Sequence, residues 1–473
     1  MKTICRTLLV VALLGAVLPV HAAKVDSIPD FLRSSVYTLL IHSDVQDASL
    51  DAEVTAQHNE YLAIADAFTK KEATAEDTIP KSRLVRNEFI NIPIPDQFND
   101  HNLDLRLVRY EDILEELTAE DLEVAGLKKV SNKIDKMIPA VMNRVIDKYN
   151  LPEQMLAKWF GYDATKEGER YNDALVRERL LYGASEGDKE AAKLQADENS
   201  ALERKLYDRV LGNTYLLVIN TRYLNDQAIF QEAQAAANII GSLFGDIGNL
   251  AVQVGGAIAG GAVGDAYSVQ TLVYLYQLDW NDEIKARFYE EYWDKSLEEL
   301  IDAGFCKLTL LGSEKANSRV SQALTSKKPL SQLVRRATAR AIDATICKLQ
   351  KKFEVFRTNS PIIDVDVDAK LLYAPIGMKE GVEPGDEYEV LEEIYDEVTG
   401  ETTYKGITTV KPVKGKIWDN RYGAEEEVQE ELESGEKDAE KNVSAVELGR
   451  TAFKCGKIKN VYPGMYLRLK KKK

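Results

Sequence analysis

A glycine-rich segment with almost no charge is the feature that most constrains how this chain folds. Residues 236–267 read AANIIGSLFGDIGNLAVQVGGAIAGGAVGDAY, and Asp246 is the only charged residue before Asp265. Each glycine in a helix costs about 1 kcal/mol relative to alanine, so such a helix forms only where another surface packs closely against its backbone. Two sets of glycines recur at four-residue spacing: Gly241 and Gly245, then Gly256, Gly260 and Gly264.

This spacing would place each set of glycines on one helix face and predicts an interaction segment at residues 240–264, a glycine zipper. The surface packed against it is the other half of the segment, a second copy of the protein, or lipid. A flexible loop or packing within the chain is the alternative to self-association or membrane contact. The segment lies between two predicted strands, residues 214–224 and 269–280, so we expect a sheet to fix both of its ends.

The first 22 residues are typical of a secretory signal peptide. Lys2 and Arg6 precede an apolar run, and Val20-His21-Ala22 has the small residues of a cleavage site. We therefore expect cleavage after Ala22 and an exported protein, periplasmic or associated with the outer membrane, with the cell surface as a further location. The next residue is Ala23 and not a cysteine that could accept lipid, which disfavours a lipoprotein.

The composition indicates a soluble, acidic, globular protein. The chain of 473 residues carries a net charge of −16, with 29% charged and 45% hydrophobic residues. Its one obvious basic tract is Lys470–Lys473. Because nucleic-acid binding needs a larger positive surface, we do not expect a nucleic-acid partner.

Helical and strand periodicities alternate along the chain and predict an α+β, multi-domain protein. A helical middle region feeds a mixed or antiparallel sheet, and a small β-barrel or sandwich follows at the C-terminal end. Helices are predicted at residues 284–301, stopped by Gly304, and at 330–356, with Arg335, Arg336 and Arg340 among the outer positions of the second helix. The predicted units are a signal peptide (1–22), an N-terminal α/β domain (23–110), a helical region (111–211), an α+β domain (212–358) with the glycine-rich insert (236–267), and a C-terminal β module (359–473) with a polar, mobile, acidic excursion (423–444).

One catalytic motif matches by letter but not by context. Residues 183–187 read GASEG, the GxSxG pattern that presents a nucleophilic serine on a strand-to-helix turn. Here Ser185 follows a helical stretch, and the last histidine, His101, precedes it, whereas such hydrolases place the histidine after the serine. A turn between helices is the favoured interpretation, and a serine hydrolase ranks last among the functional hypotheses.

No metal or cofactor site is predicted. His42, His58 and His101 lack the close spacing of metal ligands. Three alternating carboxylates, Asp364, Asp366 and Asp368, would share one strand face, where weak calcium binding is the alternative to simple exposure. We therefore predict no catalytic residue, no cofactor and no metal ligand.

Cysteine usage is sparse. Removal of the signal peptide leaves Cys306, Cys347 and Cys455, without the spacing of a zinc ribbon or of a disulfide framework. Free buried thiols are the favoured interpretation. A Cys306–Cys347 disulfide is the alternative, because export would permit it.

Four segments carry a resemblance to known proteins: KWFGYDATKEGERYNDALVRERLLYGAS, LGNTYLLVINTRYLN, GMKEGVEPGDEYEVLE and KGKIWDNRYGAEE. They resemble functionally uncharacterised exported proteins of Bacteroidetes-type bacteria, some catalogued as immunoreactive surface antigens, and the likeness covers most of residues 139–421. It implies the same compartment and domain order and no catalytic residue. The end, VYPGMYLRLKKKK, is similar to type IX secretion sorting domains but lacks their further strand, so closure of the C-terminal barrel is the alternative to surface delivery.

Together these features predict an exported cell-envelope protein that acts as a non-catalytic binding or scaffolding component. The alternative is a membrane-associating or self-assembling protein that acts through residues 240–264. The expected partners are an envelope protein or a second copy of the chain.

Overall fold

The protein is α+β, as predicted, with helices and two β-sheets. Its architecture comes from a computed structural model. The structure describes residues 34–43, 89, 92–95, 98–100, 103–131, 133–166, 170–172, 175, 179, 210–224, 266–293, 295–321, 330–396, 401–435 and 439–470. Within these residues, no helix combines the length and the apolar character that a membrane crossing requires.

The elements are numbered in chain order. The helices are α1 (Tyr110–Leu114), α2 (Ala119–Val124), α3 (Ile134–Tyr149), α4 (Leu151–Trp159), α5 (Asp282–Arg287), α6 (Leu297–Ala303), α7 (Leu330–Lys352), α8 (Ala424–Ser434) and α9 (Ala439–Val446). The strands are β1 (Ser34–His42), β2 (Phe98–Asp100), β3 (Leu107–Arg109), β4 (Thr214–Leu224), β5 (Ala266–Leu278), β6 (Leu308–Ser321), β7 (Asn359–Pro361), β8 (Asp364–Asp366), β9 (Leu371–Ala374), β10 (Tyr388–Asp396), β11 (Glu401–Pro412), β12 (Thr451–Lys454) and β13 (Tyr466–Leu469).

The first sheet, which we call the central sheet, is six-stranded and mixed. Its order is β2-β1-β4-β5-β6, and β3 pairs with β1 on the same side as β2. Strand β1 runs parallel to β2, β3 and β4, while the β4–β5 and β5–β6 pairs are antiparallel. This arrangement confirms the predicted mixed sheet.

The central sheet is covered on both faces. Alternation along β1 sends Tyr37 and Leu39 into a core with α3 and α4, while Val36 and Leu40 pack into a second core with α7. All of β1 is buried, which matches its hydrophobic sequence, since strands covered on both faces lose polar alternation. Burying one such large apolar side chain stabilises the fold by about 1.5–3 kcal/mol.

Because β1 pairs with β4, the described parts of the segments 23–110 and 212–358 contribute to one sheet. Helices α3 and α4, from the segment 111–211, pack on one face of the same sheet. The domain limits drawn from the sequence stay predictions, although these three segments share continuous cores.

The helix predicted at residues 284–301 is interrupted. Helix α5 continues into a π-helical turn, Phe288–Tyr292, and a new helix, α6, begins after Ser296. The Ser296 side chain accepts from the Glu299 backbone N–H, and the Glu299 carboxylate accepts from the Ser296 N–H. This capping box stabilises a helix start inside the predicted helix. Gly304, with φ of 58°, ends α6 as predicted.

The helix predicted at residues 330–356 ends earlier, at Lys352, and a short 3-10 turn follows it. Two of its predicted outer residues are buried: Arg336 is 3% exposed and Arg340 is 9% exposed. The prediction of an outer position was wrong for both because helix α8, distant in sequence, covers that face of α7.

The second sheet, which we call the C-terminal sheet, is a seven-stranded curled half-barrel in the order β7-β13-β10-β11-β12-β9-β8. Its two outermost strands, β7 and β8, come from one stretch of chain, residues 359–366. Between them, the Ile362 N–H donates to Met465 O and the Ile363 N–H donates to Tyr373 O. The stretch therefore bonds to both ends of the sheet and curls it.

The acidic excursion at 423–444 is mostly helical where the structure describes it. Its glutamates begin α8, where Glu425, Glu426 and Glu427 occupy the first turn and interact favourably with the helix dipole. Helix α9 packs beside α8, and the Asn442 side-chain amide donates to Glu431 at 2.7 Å. The sequence pattern predicts a polar, mobile excursion here and does not indicate that α8 and α9 pack together.

Candidate functional site

The predicted interaction glycines lie outside the described residues: Gly241, Gly245, Gly256, Gly260 and Gly264. The strands that flank them are described. Strand β4 ends at Leu224, β5 begins at Ala266, and Leu224 pairs with Ser268 across the antiparallel ladder. The strands predicted on either side of the insert are therefore neighbours in the central sheet. Residues 225–265 lie outside the described residues, so the fixing of the insert's ends stays a prediction.

The residues of the serine-hydrolase hypothesis are not brought together in the described structure. Ser185, His58 and His101 lie outside the described residues. His42 ends strand β1 and is buried.

Two of the three alternating aspartates, Asp364 and Asp366, have structural contacts. Strand β8 includes Asp364 and Asp366 but ends before Asp368. The Asp364 carboxylate lies 2.9 Å from Arg450, and Asp366 accepts from the Ala369 N–H at 2.8 Å, which stabilises the turn after β8. Among the described residues, no group of three or more metal-ligating side chains could hold a metal ion.

The three cysteines of the described chain are free and buried. Cys306 lies in the core beside α4, and Cys347, on α7, donates from Sγ to Lys379 O at 3.3 Å. Burial raises the pKa of both thiols well above the ordinary value. Of the two alternatives, the structure has the free thiols, and in the protonated form they are poor nucleophiles.

The main polar cluster of the described structure joins α7 to α8, and we call it the α7–α8 network. Arg340 donates to both carboxylate oxygens of Glu427, at 3.2 and 2.8 Å, and its Nε donates to Tyr422 O at 2.9 Å. Arg336 donates to Glu430 at 3.1 Å. Two-pronged arginine–carboxylate pairs are directional as well as strong, so this network fixes both the position and the angle of α8.

A second ion pair extends the α7–α8 network. Arg421 donates to both oxygens of Asp419, at 2.8 and 2.7 Å, and lies 3.8 Å from Glu427. Burial opposes ionisation of Asp419, but the hydrogen bonds from Arg421 outweigh it and hold the pKa of Asp419 below its usual value. Burial also lowers the pKa of Arg340, against the opposing hydrogen bonds to Glu427.

The backbone conformation of Gly423, at the start of α8, allows α7 and α8 to approach closely. This residue has φ of 69°, and a Cβ there would lie 2.6 Å from Nε of Arg336. Only glycine adopts this conformation at low cost and leaves room for the arginine. Complementary charge was the sequence signal for this contact, with arginines in the long helix and a glutamate run at 425–427.

A second buried ionisable group, Glu153, differs from the α7–α8 network. It lies in the first turn of α4, is 5% exposed, and no described side chain donates a hydrogen bond to it. Burial raises the pKa of Glu153 to about 7, and Asp147 adds a smaller electrostatic effect in the same direction. Its charge also contributes to the raised pKa of Cys306.

Two aromatic residues of the first segment quoted for the resemblance, Phe160 and Tyr171, lie in the core. Phe160 stacks on Phe288 with ring centroids 4.9 Å apart, and Tyr171 stacks on Trp293 at the same distance. The π-helical turn supplies Phe288 to this aromatic cluster. Asp419 and Gly423, from another of the quoted segments, belong to the α7–α8 network.

The polar contacts described above therefore hold helices and turns of the described structure in position. No protein-family model and no curated protein matches this chain.

Proposed function

We propose that the protein is an exported component of the cell envelope that acts by binding or scaffolding and not by catalysis. The observation that carries the proposal is the α7–α8 network, which joins the helix on the central sheet to the helix beside the C-terminal sheet. Rigid joining of two cores suits a protein that presents surfaces at fixed positions. The signal-peptide pattern of residues 1–22 supports export.

The same network supports a multi-domain arrangement with two units. One unit is the central sheet with its covering helices, and the other is a small C-terminal barrel formed from residues 359–470. The curled C-terminal sheet has a hydrophobic core of its own, which includes Ile362, Val390 and Phe453. A separate core is the physical mark of a domain.

The export part of the proposal is tested by fractionating cells that express the full chain or a matched variant without residues 2–22. We expect the full chain to lose residues 1–22 and to accompany periplasmic or membrane markers, while the variant remains with cytoplasmic markers. Unprocessed full-length protein in the cytoplasm would contradict export.

The scaffolding part is tested by chemical crosslinking in intact cells. We expect a defined species of higher mass for the wild type and for Arg109→Ala, which removes an exposed ion pair. Arg340→Ala, which opens the α7–α8 network, should weaken that species severalfold at equal protein level. Monomer mass in every sample would overturn the scaffolding role.

We propose as a second candidate that the glycine zipper mediates membrane contact or self-assembly. Supporting it, the strands on either side of the insert pair with each other, with Leu224 opposite Ser268, and a helical hairpin between them would need its two ends close together. Gly256→Leu/Gly260→Leu should change membrane partition or assembly size. Ala251→Leu/Ala262→Leu, which also adds bulk but away from the stripe, should not, and identical behaviour of both variants and the wild type would contradict this candidate.

A further inference from the structure

A short protrusion near α2 combines exposed apolar and basic side chains. Val124 is 70% exposed and Val130 is 50% exposed, and Lys128 and Lys129 between them are exposed. The stretch 124–134 contains a further lysine and no carboxylate, in a chain whose net charge is −16. We call residues 124–130 the basic protrusion.

The basic protrusion is held in place by the fold. A capping box between Thr118 and Asp121 starts α2, and the Asn143 amide on α3 donates to Asp121 O at 3.2 Å. Gly126, with φ of 70°, ends α2, and the Leu127 N–H donates back to Leu122 O at 2.7 Å. A surface fixed in this way loses little conformational entropy when it binds.

The outward side of α8 has the opposite character, and we call it the acidic face. Glu427 and Glu430 point toward the arginines of α7, so the helix turns its other side to solvent. Residues at i, i+4, i+7 and i+8 share one helix side. The exposed members of that side are Glu425, Gln429, Leu432 and Glu433, with Leu432 43% exposed.

We propose that the basic protrusion of one copy docks on the acidic face of α8 in a second copy. Lys128 and Lys129 would meet Glu425 and Glu433, and the exposed valines would cover Leu432. The charges on the two surfaces are complementary, and both surfaces carry apolar side chains that water otherwise surrounds. Since this contact concerns the isolated chain, it stands or falls independently of export.

The contact joins two different surfaces, so it forms twice in a reciprocal pair and is otherwise head-to-tail. Each copy carries one surface of each kind, so one contact leaves a free surface at both ends, and the assembly extends into a row or closes as a ring. The two surfaces are small compared with a standard interface of about 1,600 Å². The association is therefore weak, with micromolar or weaker affinity, and is screened by salt.

The experiment is sedimentation velocity of the purified chain at low and high salt, with reversed charges. We expect concentration-dependent association of the wild type at low salt that 0.5 M salt removes. Lys128→Glu/Lys129→Glu and Glu425→Lys/Glu433→Lys should each weaken the association at least about tenfold, because each places like charges opposite one another. A factor of ten corresponds to about 1.4 kcal/mol. Mixing these two variants, or combining all four reversals in one chain, should restore association.

Matched controls separate docking from general charge or hydrophobicity. Lys457→Glu/Lys459→Glu reverses two other exposed lysines and should leave association unchanged. Val124→Ser/Val130→Ser should weaken association, whereas Val355→Ser/Val367→Ser, at valines of similar exposure, should not. The melting temperature of each variant reports whether it folds.

Three results would overturn the proposal. The first is a wild type that remains monomeric at low salt and high concentration. The second is failure of the four combined reversals to restore association when all variants are folded. The third is preferential binding of the protrusion to phosphatidylglycerol vesicles, lost in Lys128→Glu/Lys129→Glu, which would identify an anionic lipid surface as its occupant.

Discussion

Two regions of the described structure that bury ionisable side chains treat their charge in opposite ways. In the α7–α8 network, Arg340 meets the carboxylate of Glu427 through two hydrogen bonds and keeps its charge. In the core beside α4, Glu153 has no described side-chain donor, and its pKa rises to about 7. Burial alone therefore does not decide the charge state of a side chain; the presence of a matched partner does.

The difference also separates two roles. A matched pair specifies geometry, since it is satisfied in only one arrangement of the two helices. A buried carboxyl without a charged partner instead links the stability of the fold to pH.

Removing one partner of the matched pair should have the largest effect. Arg340→Met leaves Glu427 without its main donor, and we expect a loss of about 3–5 kcal/mol in the free energy of unfolding, measured in urea. Arg340→Met/Glu427→Met should recover most of that loss. The exposed-pair control Arg109→Ala should cost about 0.5 kcal/mol or less. A loss below 1 kcal/mol for Arg340→Met would show that the pair does not fix α8.

The second prediction concerns the unmatched carboxyl. Because the pKa of Glu153 is higher in the folded protein, about 7 against 4.5, the folded state binds its proton more tightly. The stabilisation is fully present below pH 4.5 and is lost as pH rises through 7. One pKa unit corresponds to about 1.4 kcal/mol, so the wild type should lose about 2–3 kcal/mol more than Glu153→Gln between pH 5 and 8.

Urea unfolding of both proteins at each pH measures this difference, and subtraction cancels the titration of every other group. Parallel pH profiles for the wild type and Glu153→Gln would contradict the raised pKa.

A smaller effect tests how closely α7 and α8 approach. Gly423→Ala should cost about 2 kcal/mol, because it adds left-handed backbone strain and a Cβ against Arg336. Gly435→Ala is the matched control: its φ is 72°, but nothing lies within 4 Å of its added Cβ, so only the strain of about 1 kcal/mol remains. If thermal or urea unfolding shows equal losses of stability for Gly423→Ala and Gly435→Ala, then Arg336 moves away from the added Cβ without an energetic cost.

The last prediction concerns the reactivity of the thiols and not the stability of the fold. We expect Cys306, Cys347 and Cys455 to react with a thiol reagent at pH 8 at least about a hundredfold more slowly in the native protein than in urea, because they are buried and protonated. Mass spectrometry without reductant should find no Cys306–Cys347 disulfide. Fast native labelling or that disulfide would contradict the buried free thiols.

Local patterns predicted the elements but not their long-range contacts. The strand at residues 214–224 is a dense run of β-branched and apolar residues, and it was predicted with the bounds that the structure has. The helix break at Ser296 was also visible locally, since Ser296 and Glu299 have capping-box spacing, but the apolar periodicity through the region concealed it.

The buried charges could not be predicted in the same way. Arg336 and Arg340 lie at helix positions where arginines exposed to solvent are also common. The helix that covers them, α8, lies beyond residue 420. Glu153 resembles an ordinary acidic residue of a first helical turn, and only tertiary packing removes it from water. The pairing of β1 with β4 is equally long-range, so the sequence alone did not indicate that sheet order.

The way in which the C-terminal sheet ends has a consequence for its tendency to aggregate. The exposed edge strands of a sheet have unpaired backbone N–H and C=O groups, which pair with strands of other molecules. Edge pairing of this kind is a common route to aggregation. Here one stretch, residues 359–366, forms the strands at both margins. The N–H groups of its consecutive residues Ile362 and Ile363 donate hydrogen bonds to opposite ends of the sheet. The connectivity of the chain therefore leaves only short strands at both margins of this sheet, and the margin strand β8 also carries two charges, Asp364 and Asp366.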